Sequence, residues 1–201
     1  MKTSIIMAVH DRAETLEQNL CQFLSVAENN EAEVIVVDDQ STDETPDILK
    51  RMKAEHPMLY TTFLPTSTVI NPSRLRLALT VGAKAAKGDY IVLADIARPP
   101  VNDSWLTGLT DGEAALVFSS KKGDDVSHVV ATSLNDLRSA VTKAERKSGH
   151  GHQGKWMKYR RGLYDALCVK RQYAFDAIKL FDQDVRGFNL CGLRMSVWTG
   201  I

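Results

Sequence analysis

The sequence predicts an α/β protein, a mostly parallel central sheet with helices on both faces. Apolar runs of strand length alternate with segments of helical period. The runs are apolar at every position instead of every second one, as strands covered on both faces are. Polar clusters follow directly at their carboxyl ends, the edge where open α/β sheets bind ligands. Thr3–Val9 (TSIIMAV) is the first strand, and Leu16, Leu20, Phe23, Leu24 and Ala27 then fall on one helical stripe. Glu33–Val37 (EVIVV) is the second strand, after which Ser41 and Glu44 have capping-box spacing for a helix running to about Glu55. Leu59–Phe63 is the third strand. Leu75, Ala78, Leu79, Gly82 and Ala86 mark a helix that closes at Gly88, and Tyr90–Ala94 (YIVLA) is the fourth strand. After Pro99 and Pro100, Ala114–Ser119 reads as a strand and Leu134–Arg146 as a helix, followed by the aperiodic SGHGHQGKW.

Composition narrows the class. The 201 residues are 44% hydrophobic and 25% charged, enough for a core that needs no disulfide or metal staple. Lys plus Arg and Asp plus Glu both number 25, so the formal charge is zero and proteins that coat nucleic acid or anionic membranes are excluded. Charge is instead local: Glu31 to Asp47 holds seven acids and no base, whereas Lys143 to Arg171 holds nine bases and two acids. The basic tract is either a solvated loop or a phosphate-facing one. Cys21, Cys168 and Cys191 are an odd count without metal-knuckle spacing, which suits a reducing, cytoplasmic compartment. The apolar stretch before His10 is too short for a signal-peptide core or a membrane span, so the mature chain is expected to start here.

Three clusters carry chemistry: His10-Asp11-Arg12 after the first strand, Asp38-Asp39-Gln40-Ser41 after the second, and Asp95 after the fourth. They are expected to converge on one crevice. A phosphoacceptor receiver also uses paired acids, but at the end of its first strand, and no GxGxxG follows any strand as a dinucleotide fold would need.

SIIMAVHDRAETLEQNL, VVDDQSTDET and AKGDYIVLAD, in this order, resemble the family 2 glycosyltransferases of the GT-A fold, whose signature reads VVDDGSTD. The resemblance covers residues 3 to about 100. It thins over KWMKYRRGLYDALCVKR and FDQDVRGFNLCGLRMSVWTG. It implies one GT-A domain over residues 1–201, with a nucleotide-sugar donor half (1–100) and an acceptor half (101–201) carrying the basic loop at about 148–162. It further implies hexose transfer from a UDP-sugar to a saccharide or other hydroxyl acceptor in glycan synthesis, with inversion.

In that reading Asp39 accepts the imide N–H of uracil, although a capping role is open to it. Backbone around Ala8 to Asp11 frames base and ribose, with Val9, His10, Asp11 and Arg12 among the nucleotide-sugar-binding residues, Asp38 orients the turn, and Arg76 helps hold the diphosphate. Asp95 would bind Mn2+ or Mg2+, but the second carboxylate of an Asp-x-Asp pair is replaced by Ala97. His150 and His152 could supply a further ligand, or Arg98, Lys155, Lys158, Arg160 and Arg161 could neutralise the phosphates directly. No carboxylate stands in Gly187–Gly192, where the resemblance expects the general base, which leaves Asp184 and Asp182 just upstream. With Ala97 and Asn189 both non-acidic, a nucleotide-sugar-binding module without catalysis is the alternative. The last amphipathic segment (Leu190, Leu193, Val197) ends close to Ile201, so a minimal acceptor half, or one completed by another subunit in a homo-oligomer or by a trimmed tail, is also open.

Overall fold

The computed structural model describes residues 2–65, 74–119, 126–136 and 165–186. Its elements are β1 (Thr3–Val9), α1 (Ala13–Asn29), β2 (Glu33–Asp38), α2 (Thr45–Glu55), β3 (Leu59–Phe63), α3 (Arg74–Ala85), β4 (Tyr90–Ala94), β5 (Ala114–Ser119), β6 (Val126–Ala131), β7 (Ala166–Lys170) and α4 (Ala174–Arg186). The sheet order is β3-β2-β1-β4-β7-β5-β6. The first four strands pair in parallel. β7 then runs antiparallel to β4, and β5 and β6 continue antiparallel.

Strand alternation deals the side chains of β1 to opposite faces. Ile5, Met7 and Val9 pack with Leu16, Leu20, Phe23 and Leu24 of α1 and Ile48, Leu49 and Met52 of α2. Ile6, Ile35 and Val37 face the other way, against Leu75, Ala78 and Leu79 of α3 and Ala177, Ile178 and Phe181 of α4. Each such fully buried side chain stabilises the fold by roughly 1.5–3 kcal/mol before chain entropy is counted. Phe23 meets Trp105 edge to face, ring centroids 5.7 Å apart.

The strands and helices expected through residue 94 are present, with one correction. Helix α2 starts at Thr45, with Pro46 in its first turn and no side-chain cap, instead of at a Ser41 capping box. Ser41 is diverted because its hydroxyl donates to Asp38 Oδ1 at 2.6 Å. β6, β7 and α4 were not among the sequence expectations. The helix expected over Leu134–Arg146 lies outside the described residues beyond 136, as do SGHGHQGKW and the amphipathic segment from Leu190.

α3 lies so close to the sheet that only glycine fits at its crossing. A Cβ built on Gly82 would sit 2.5 Å from Ile6 Cγ2 and 3.3 Å from Val37 Cγ2. Gly82→Ala is therefore expected to lower stability by about 1–3 kcal/mol through overpacking, measured as a lower denaturant midpoint with unchanged slope; an unshifted midpoint would show that the helix has room to retreat.

Candidate functional site

Parallel pairing of β2, β1 and β4 puts the loops after all three strands on one edge of the sheet. With neighbouring strands about 4.8 Å apart, the ends of β2 and β4 are about 10 Å from each other across β1. Asp39 and Asp95, the residues after those ends, thus share one edge, as do His10, Asp11 and Arg12 after β1.

The first two loops are bonded to each other. Asp39 N donates to Val9 O at 2.8 Å, extending the ladder one residue past the strand. His10 Nδ1 lies 2.6 Å from Asp39 O; a carbonyl only accepts, so Nδ1 carries the proton. Asp11 N donates to Ser41 Oγ at 2.9 Å, and Asp11 Oδ1 accepts from Thr42 N at 2.6 Å. Arg12 N donates to Thr45 Oγ1 and Ala13 N to Asp43 Oδ2, each at 3.0 Å. Asp38 is buried and accepts from both Ser41 N and Ser41 Oγ. Two non-glycine residues hold left-handed backbones here, Asp11 at φ 48° and Gln40 at φ 58°. Asp11 answers the strain with its bonds to the second loop. The Thr42 N–H, helped by nearby His10, holds its carboxyl below the usual carboxylate range.

Asp39 is 1% exposed and gripped by Arg74, whose Nε lies 2.8 and 2.9 Å from the two carboxylate oxygens while Nη2 bonds Oδ1 as well. This fork holds the Arg74 guanidinium above its ordinary value. The resemblance implies a diphosphate role for Arg76, two residues further on. Residues two apart on a helix point about 200° away from each other, and Arg76 Nη2 turns to Asp182 Oδ2 at 3.0 Å, tying α3 to α4. Asp182 is fully buried, and its carboxylate anchors α4 to α3 through Arg76. Asp184 lies two residues further along α4.

Asp95 is exposed, and its Oδ1 accepts from Ala97 N at 3.0 Å in a tight turn. Arg98 N donates to Asp95 O at 2.9 Å, which brings Arg98 next to the carboxylate in the same turn. No three His, Cys, Asp or Glu among the described residues form a cluster able to hold a metal ion. One carboxylate fits the mode in which a divalent cation is held largely by substrate phosphates and water, and does not fit a cation held by protein alone. His150, His152, Lys155, Lys158, Arg160, Arg161 and Asn189 lie outside the described residues. A cavity of about 410 Å³, lined by residues including Ser133, Tyr173 and Lys179, sits by the far end of β7, at the opposite edge of the sheet. Among the described residues, no helix is long and apolar enough to cross a membrane. Cys21 and Cys168 are free thiols, and burial pushes Cys168 up to about 12.

Residues 4–96 match the glycosyl transferase family 2 model. No curated protein sequence matches the chain. Among solved structures, the chain is similar to the mannosyltransferase PcManGT from Pyrobaculum calidifontis in complex with GDP-Man and Mn2+, with TM-score 0.53 and 20% identity over 87% of this chain and 46% of that one. It also aligns with S. aureus TarS 1-349 (TM-score 0.49, 16% identity, 88% and 49% covered) and M. tuberculosis glucosyl-3-phosphoglycerate synthase (TM-score 0.49, 17% identity, 96% and 68% covered). The chain spans about half the length of the first two.

Two outcomes follow from this geometry. Because the folded Asp11 carboxyl is depressed, its contribution is present above the unfolded value near about 4 and is lost as pH falls through the lower folded value. The melting-temperature difference between wild type and Asp11→Asn should accordingly shrink from pH 6 to pH 2; a constant difference would contradict it. Arg76→Ala should lower stability by about 1–3 kcal/mol by stripping a partner from buried Asp182, read as a lower denaturant midpoint; an unshifted midpoint would contradict it. The segment that carries this signature, on this sheet and with its acidic loops on one edge, is the segment over which the chain matches glycosyl transferase family 2, residues 4–96, and the fold that carries it is a GT-A fold.

Proposed function

We propose that the chain is a glycosyltransferase that takes a hexose from a UDP-sugar and passes it to a saccharide or other hydroxyl acceptor with inversion, in glycan synthesis within the cytoplasm. The observation that carries this is the convergence of the β1, β2 and β4 loops, with Asp39 and Asp95 on one edge of the sheet. A nucleoside diphosphate needs a base-reading group and, some ångströms away, something to balance phosphate charge, and this edge offers both. Asp39, oriented by Arg74, accepts the imide N–H of the base. Val9, His10 and Asp11 border base and ribose, with Asp38 holding the turn beneath them. Arg12 and Arg98 supply positive charge for the diphosphate, a task from which Arg76 is withdrawn by Asp182.

Asp95 would hold a divalent cation, Mn2+ or Mg2+, jointly with the diphosphate, and the cation would offset charge on the leaving nucleotide. His150 and His152 are candidates for completing its shell. The acceptor hydroxyl must lose a proton as it attacks the anomeric carbon; of the two late carboxylates Asp184 is the candidate base, since Asp182 is enclosed.

A second reading, a nucleotide-sugar-binding module without transfer, is favoured by one specific observation: Ala97 N closes the turn on Asp95 where a second carboxylate would stand. Calorimetry with UDP and GDP, with and without Mn2+, followed by a donor hydrolysis assay, tests both. The transferase reading expects UDP binding and slow donor hydrolysis; binding with no turnover across a donor panel selects the module, and no binding overturns both. Asp39→Ala should weaken UDP binding by about 1–3 kcal/mol. Asp95→Ala should abolish the extra melting shift that Mn2+ adds to UDP, whereas Mn2+ alone should shift neither protein.

A further inference from the structure

The signature VVDDGSTD has glycine where this chain has Gln40. The backbone there remains left-handed, φ 58°, a conformation that disfavours any residue with a Cβ. The substitution carries a second penalty. Gln40 Nε2 is shielded from solvent and has no hydrogen-bond partner among the described residues, and a buried amide donor without a partner is unfavourable. Folding gains nothing evident from either feature. Glycine would remove both, and Ser41, Asp38 and Asp11 make the loop's bonds without the Gln40 side chain. Strain and an unmet donor retained together, one residue past Asp39 at the carboxyl end of β2, are what a ligand-reading residue looks like before its ligand arrives.

We propose that Gln40 is a specificity-determining residue of the donor site, its amide donating to a carbonyl oxygen of the nucleotide base. This role rests on the donor-crevice reading above. Uracil presents an imide N–H flanked by carbonyl oxygens. Asp39 is acceptor-only and satisfies the N–H; the neighbouring carbonyl then needs a donor, which Gln40 supplies. Where Gln40 meets the 4-carbonyl of uracil, cytosine fails at both positions, because its ring nitrogen accepts where Asp39 also accepts and its 4-amino group donates where Gln40 donates; at the 2-carbonyl, which cytosine shares, it would fail at Asp39 alone. The pair therefore selects a keto base, uracil or guanine, over an amino base, and Gln40 provides the half that the glycine of the signature cannot.

Two variants separate this from a structural role. Gln40→Gly relieves the backbone and removes the amide; Gln40→Met keeps the left-handed strain and removes only the amide. By calorimetry both should bind UDP roughly three- to tenfold more weakly than wild type, the worth of one hydrogen bond, and the preference for UDP over CDP should narrow by the same factor. Gln40→Gly should meanwhile melt roughly 2 °C higher, so that stability and affinity move in opposite directions. If wild type binds UDP and both variants match it, the Gln40 role is overturned and the crevice stands. If Gln40→Gly loses stability and affinity together, the side chain is structural and the role is overturned. If wild type binds no nucleoside diphosphate, both readings fall.

Discussion

The molecule depends on one constraint, the parallel pairing of β1 with β2 on one side and β4 on the other. β1 is buried on both faces, so a one-residue slip would move Ile5 and Met7 to the α3 face and Ile6 to the α1 face, undoing both halves of the core at once. Register is thereby fixed by packing. Fixed register in turn dictates where the chain leaves each strand, and so which residues stand at the carboxyl edge. The site is a consequence of how the core packs, and the close approach of α3 at Gly82 belongs to the same arrangement.

That edge is organised by charge. Seven acids lie between Glu31 and Asp47, and most of those at the strand tip are spoken for. Asp38 is held by Ser41, Asp43 by Ala13 and Thr45, and Asp11 by the second loop's backbone. Asp39 is matched by Arg74. Backbone N–H groups stabilise these carboxylates in their charged form, and only Asp39 among them is matched by a guanidinium. Asp95, like Asp11 and Asp43, is exposed, with its Oδ1 bonded to the Ala97 N–H.

Much of this was legible in the sequence. Unbroken apolar runs such as SIIMAV and EVIVV have few competing interpretations, and their polar sequels lie at strand ends by construction. The misses have physical causes. Ser41 and Glu44 fit a capping box, but the rule is local and Asp38, three residues back, competes for the same hydroxyl. Arg74 and Arg76 sit in one short SRLR segment; the stripe of Leu75, Ala78, Leu79 and Gly82 turns α3 onto the sheet and leaves the two arginines on opposite flanks, and only the placement of the helix in the fold decides which flank meets Asp39. ALCVK is a short run that pairs antiparallel with β4, a partner distant in sequence. Ala174, Ala177, Ile178 and Phe181 repeat at helical spacing and mark α4 in the sequence.

The central claim, a nucleoside diphosphate seated at the carboxyl edge of β2, β1 and β4, is tested most directly by following backbone amide resonances while UDP is added. The account predicts shifts confined to residues 9–12, 38–42, Arg74 and 95–98. Shifts centred on Tyr173 and Lys179 at the opposite edge, or none at saturating nucleotide, would contradict it.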